Sequence, residues 1–130
     1  MKTSQSIQPK SGWAEVLLKN IGDSILAVDN DLKITFMNEA AENLFGVRLA
    51  RAQGMPIHDL LKLTDPTNGE SVTLPLASTL AQREFYSADQ GLLMMDATGQ
   101  LRRVHASASP VSDKKSGTMG AVVQLTVFEV

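Results

Sequence analysis

The sequence predicts an α+β fold with an antiparallel sheet, and three observations predict it. Two short strand-like runs, residues 24–29 and 32–37, flank an Asn30-Asp31 turn near the start. Short stretches of helical periodicity fill the middle, and three strand-like segments follow in the last third. The elements thus run as a hairpin, a cluster of short helices, and a set of strands that can close one sheet.

Residues 1–10 carry almost no apolar side chains and read as a flexible lead-in. Over 11–22, Ser11 can cap a helix, Trp13, Val16, Leu17 and Ile21 form one apolar stripe, and Gly22 can end it. The core is expected over 24–130. In LKITFM (32–37) the alternation points Leu32, Ile34 and Phe36 one way and Lys33 and Thr35 the other. Asn38 can cap a helix whose inner face is Ala40, Ala41, Leu44 and Phe45, with Gly46 as its stop. A short turn spans Val47 to Gln53, and Pro56 opens the helix IHDLLKL. TDPTNGE (64–70) is a loop by its density of turn formers. Pro75 suits the first turn of the helix PLASTLAQRE, with Leu76 and Leu80 inward. Segments 92–96 and 101–111 flank a turn at Ala97-Thr98-Gly99-Gln100. The last strand, 118–130, is apolar on both faces in its middle, as a central strand covered on both sides would be.

Composition narrows the function. The chain has 130 residues, 43% of them hydrophobic, a net charge of −2 and signs mixed along its length, so no basic face for nucleic acid is expected. It has no Cys, which removes disulfides, thiolate metal sites and cysteine nucleophiles together. No apolar run approaches the ~20 residues of a membrane span, and the polar start offers no signal-peptide core. A soluble, cytoplasmic setting without membrane contact is expected. Catalysis needs a nucleophile with its base, or paired carboxylates in a cleft. Asp23, Asp29 and Asp31 are spaced for a turn, and Asp65, Asn68 and Glu70 match no EF-hand loop. No enzyme activity and no metal site are expected.

The run DSILAVDNDLKITFMNEAAENLFGV resembles the opening of a PAS (Per-ARNT-Sim) domain, residue by residue at Asp29, Asn38, Ala40, Ala41 and Gly46. AQGMPIHDLLKLTDPTNGESVTLPLASTL is similar to the central helices of PAS domains beside bacterial diguanylate cyclase and phosphodiesterase (GGDEF/EAL) modules. DATGQLRRVHASASPVSDKKSGTMGAVVQLTVFEV resembles the last hairpin and strand of that family. The resemblance covers about residues 13–130. It implies a five-stranded antiparallel sheet in the order 2-1-5-4-3, short helices enclosing a pocket on one face, and an N-terminal helix that often covers the other.

It also frames the cofactor question. Flavin photosensors of the family use a cysteine where Ile57 stands, and Asn side chains where Met94 and Val104 stand; only Gln124 matches a flavin contact. Haem-binding members take a histidine from the long central helix, which here, over 74–84, has none. His58 and His105 lie elsewhere, and His105 alternates with Arg103, Ser107 and Ser109 in a polar set facing away from the pocket. Flavin and haem are therefore both disfavoured, and the cofactor is left open. The expected lining is Leu26, Val28, Phe36, Phe45, Leu60, Leu76, Leu80, Met94, Val104, Ala106, Val122 and Gln124. It is either a closed core or an apolar pocket with Gln124 orienting a small ligand. The stripe of Trp13, Val16, Leu17 and Ile21 either caps the sheet or joins two copies, and a homodimer is expected. Phe128-Glu129-Val130 resembles the start of the linker to an effector in the family. The expectation is thus a bacterial sensory domain attached to a cyclase or phosphodiesterase, a histidine kinase or a transcription regulator. A ligand-free dimerisation module is the alternative.

Overall fold

The computed structural model describes residues 22–88, 90–112 and 119–128. The lead-in and the stripe of Trp13, Val16, Leu17 and Ile21 lie outside them. Eight strands appear among the described residues: β1 (Ser24–Val28), β2 (Ile34–Met37), β3 (Leu63–Thr64), β4 (Ser71–Val72), β5 (Tyr86–Ser87), β6 (Leu92–Met95), β7 (Leu101–Ser112) and β8 (Met119–Val127). Four helices join them: α1 (Glu39–Phe45), α2 (Leu49–Ala52), α3 (Ile57–Leu60) and α4 (Leu76–Gln82). The sheet order is β2-β1-β8-β7-β6-β3-β4, and β5 pairs with β7. The five longer strands therefore stand in the expected order. Three two-residue strands enlarge the sheet, because Leu63-Thr64 leaves α3 to pair with both Ser71-Val72 and Leu93.

Local chemistry explains most boundaries. Asn38 is extended (φ −84°, ψ 175°), and its Oδ1 accepts from Ala41 N, capping α1. Gly46 closes α1 in the left-handed region at φ 71°. A carboxylate opens each of three turns by accepting main-chain N–H groups, the Asx geometry. Asp29 Oδ1 takes Asp31 N at 2.8 Å and Lys33 N at 3.0 Å. Asp65 Oδ1 takes Thr67 N at 2.8 Å, and Asp96 Oδ1 takes Thr98 N at 2.9 Å and Gln100 N at 3.0 Å.

β8 is the hub. It pairs with β1 from Ser24↔Leu125 to Val28↔Ala121 and with β7 from Val104↔Val127 to Ser112↔Met119. Gly120 permits its approach, since a Cβ there would stand 2.3 Å from the Val28 carbonyl oxygen. Both faces of β8 are buried at its middle, Val123 on one side and Val122 on the other, as a central strand requires. The main core lies between the sheet and the helices, where Leu26, Val28, Met94, Val104, Ala106, Val123 and Leu125 meet Ala41, Leu44, Ile57, Leu76 and Leu80.

Candidate functional site

The two sheet faces differ in chemistry. The inner face, under the helices, is apolar. Leu26, Val28, Leu76, Leu80, Met94, Val104 and Ala106 are buried in it, and Phe45 and Leu60 pack against it while partly exposed. Among the described residues, the buried polar side chains are Ser24 and Thr79. The Thr79 hydroxyl donates to Pro75 O at 3.1 Å. Ser24 is 3% exposed, and the Ser24↔Leu125 pairing puts it in phase with Leu26 and Val28. Its hydroxyl has no hydrogen-bond partner among the described residues.

Three expected lining residues, Phe36, Val122 and Gln124, face outward instead. For Phe36 the cause is a bulge. Ala27 pairs with Phe36 but Val28 pairs with Ile34, so Thr35 is an extra residue that resets the alternation. Ile34 and Met37 then point inward, and Phe36 lies outside, 39% exposed. For Val122 and Gln124 the cause is register. Residues directly opposite in an antiparallel pair share a face, and they pair with Ala27 and Ile25. Ile25, Ala27 and Val122 form a separate small cluster on that outer face, with Val111 against it. The outward turn of Gln124 removes the one residue matching a flavin contact from the inner face.

A polar row crosses the outer face. Asp23 Oδ2 accepts from Gln124 Nε2 at 2.7 Å and from Thr126 Oγ1 at 2.9 Å. Thr126 pairs with His105, and Gln124 pairs with Ser107, which pairs with Ser87. His105 thus lies on the polar outer face, as its alternation predicts. Its Nε2 sits 3.2 Å from Ala88 O and 3.1 Å from Ser87 Oγ. A carbonyl only accepts, so Nε2 carries the proton in this geometry. His58 is half-buried on α3. No group of three or more His, Asp or Glu able to hold a metal occurs among the described residues. Sequence reasoning missed Asp23 as a partner of Gln124, because their contact spans 101 positions.

The shifted carboxylates belong to turns. Thr98, donating from its hydroxyl at 2.6 Å, is the main cause holding Asp96 well below its ordinary value; the Gln100 N–H and Arg102, at 3.0 Å, add to it. Thr67 does the same for Asp65 through its hydroxyl and N–H, helped by Gln90. Both carboxylates serve the turns. A surface groove of about 350 Å³ lies between the β1–β2 turn and α4, lined by Asn30, Asp31, Leu32, Ala77, Leu80 and Ala81. Leu80 belongs both to this groove and to the inner core.

A sheet of this order, with short helices on one face over an apolar interior, defines a PAS-type sensory fold. The chain belongs to the PAS family: the family model described as PAS fold matches residues 18–128. It is 30% identical over 115 residues to the probable diguanylate cyclase DgcE of Escherichia coli K12, a match covering 83% of this chain and 10% of that protein. The chain therefore spans about a tenth of the length of that relative. Among solved structures it is similar to the PAS domain of nitrogen regulation protein NR(II) from Vibrio parahaemolyticus, with a TM-score of 0.65 and 19% identity over 88% of this chain and 97% of that one. A PAS domain from Colwellia psychrerythraea gives a TM-score of 0.63 and 18% identity over 91% of this chain and 96% of that one. Among the described residues no helix is long and apolar enough to cross a membrane.

Proposed function

We propose that this PAS domain is the non-catalytic sensory module of a cytoplasmic bacterial signalling protein, taking a small, mostly apolar ligand on its inner face and relaying its presence to an attached effector. The match to a tenth of a diguanylate cyclase supports the signalling setting and favours a cyclase-type effector over a kinase or transcription regulator. Leu80 carries the ligand reading, because it lines both the buried inner face and an open groove. An apolar side chain standing between a groove and an apolar interior fits how ligand sites are built. Ser24 adds a buried hydroxyl free to orient a polar atom of the ligand. The test is native mass spectrometry of freshly purified protein with an absorbance scan of the same sample. A co-purified small mass is expected, and a bare chain with no visible absorbance would remove the ligand reading.

A second reading, a ligand-free homodimerisation module, has its own support. Met95 and Leu101 are cross-strand partners on the outer face, 58% and 57% exposed, and paired apolar side chains left in water mark interaction surfaces. Light scattering on a column distinguishes the cases. A dimer that Met95→Lys and Leu101→Lys convert to monomer supports the module, and a wild-type monomer counts against it.

A further inference from the structure

Asp23 stands directly before β1, and its side chain reaches β8 close to the end of that strand. Its Oδ2 accepts from Gln124 at 2.7 Å and Thr126 at 2.9 Å, partners 101 and 103 positions away. Its main-chain oxygen accepts from Asn38 Nδ2 at 2.9 Å, and Asn38 Oδ1 in turn holds Ile25 N at 3.0 Å and Ala41 N at 2.9 Å. One residue thus connects the point where the chain joins the sheet, the cap of α1 and the strand by which the chain leaves. Both donors approach the same carboxylate oxygen, and hydrogen bonds to an ionised acceptor are the stronger, shorter kind. The three side chains are half-buried, where such bonds are less screened than on open surface.

We infer that Asp23, Gln124 and Thr126 form a clamp that couples the segment preceding β1 to the C-terminal end of β8, so that displacement at one end is felt at the other. Its use in signalling rests on the relay reading above, whereas its existence rests on the geometry alone. A coupling element needs two discrete arrangements; the closed one is the geometry seen, and the other would be release from β8. On release, Gln124 and Thr126 stay on the same face, beside Ser107 and His105 across the β7 pairing, and water can satisfy them there.

Amide hydrogen exchange at Asp23, Ser24 and Ile25 reads the start of β1 directly. The variants Gln124→Leu and Thr126→Val change the far end of the sequence. Each should speed exchange at those amides. Asp23→Ala, which removes the acceptor, should do so at least as strongly, and adding Gln124→Leu and Thr126→Val to it should change nothing more, because the members of one clamp are non-additive. Thr126→Ser keeps the hydroxyl and should restore the wild-type signal. Ser109→Ala, on the same face without contact to Asp23, should leave it unaltered. Exchange at those amides unmoved by Gln124→Leu and Thr126→Val, or additive effects in the triple variant, would overturn the clamp. An effector output indifferent to ligand would sink the relay reading while leaving the exchange result intact.

Discussion

Asn38→Ala should be among the most damaging single changes to a half-buried side chain in this domain. Asn38 Oδ1 accepts from Ala41 N and from Ile25 N, and its Nδ2 donates to Asp23 O. Losing the helix cap removes about 1 kcal/mol. The N–H of Ile25, a residue 1% exposed, is stranded as well, and an unpaired buried donor costs about 1–3 kcal/mol. Some water can follow, since Asn38 is only half-buried, so the expected loss is about 2–3 kcal/mol in total. Asn38→Asp separates the two functions. It keeps both acceptor bonds and places a negative charge at a helix start, a favourable position, while losing the bond to Asp23 O. It should cost about 1 kcal/mol or less. Urea unfolding followed by far-UV circular dichroism measures both. If Asn38→Asp proves as harmful as Asn38→Ala, the acceptor bonds are not what the residue contributes, and the reasoning fails.

Gly120→Ala should destabilise by about 1–3 kcal/mol, as overpacking does, because its Cβ would stand 2.3 Å from Val28 O, and backbone cannot rotate aside as a side chain can; an unchanged urea midpoint would show that β1 and β8 separate freely. Asp96 has a folded-state pKa held well below 3.8, chiefly by the Thr98 hydroxyl. A depressed carboxyl pKa stabilises fully above the unfolded value and loses that contribution as pH falls toward the folded one. Asp96→Asn should therefore flatten the acid limb of the stability profile below about pH 4, which urea midpoints on either side of that pH would reveal. Ser24→Ala removes a buried hydroxyl that has no partner among the described residues, so stability should hold or rise by up to about 1 kcal/mol; if a ligand uses that hydroxyl, native mass spectra should show the bound mass lost.

What was legible in the sequence was what neighbouring residues decide. Asn38 and Gly46 bound α1 through contacts within three or four positions, and Asp29 and Asp96 build their turns from N–H groups two and four residues ahead. The strands β3, β4 and β5 were not legible, since two residues carry no period and exist only because a partner strand is there. Phe36 was misplaced because one extra residue, Thr35, reverses the parity of everything beyond it. Gln124 was misplaced for the opposite reason: β8 is apolar on both faces, so its own pattern does not say which side is inner. Only the pairing with β1 decides that. The hydrophobic run that correctly marked β8 as central is the same feature that hid its orientation.

That orientation decides what the inner face can accept. With Val122 and Gln124 outside, β8 presents Ala121, Val123 and Leu125 inward, opposite Pro110, Ala108 and Ala106 of β7. The centre of the sheet is thus floored by small side chains, with Ala106, Ala108 and Ala121 each fully buried. Small residues at the middle of a covered sheet either let the helices settle close or leave room above the floor. Ala106→Leu distinguishes the two. Against a filled interior the added carbons force neighbours off their rotamers, at about 1–3 kcal/mol. Above a ligand-holding floor the same carbons take the ligand's place, so the apo domain loses little stability and the bound mass disappears from its native spectrum. A clear loss of stability in a protein that never carried a ligand would mean that α1 and α4 already fill the space. The outer face, with its exposed pair of Met95 and Leu101, would then be the working surface.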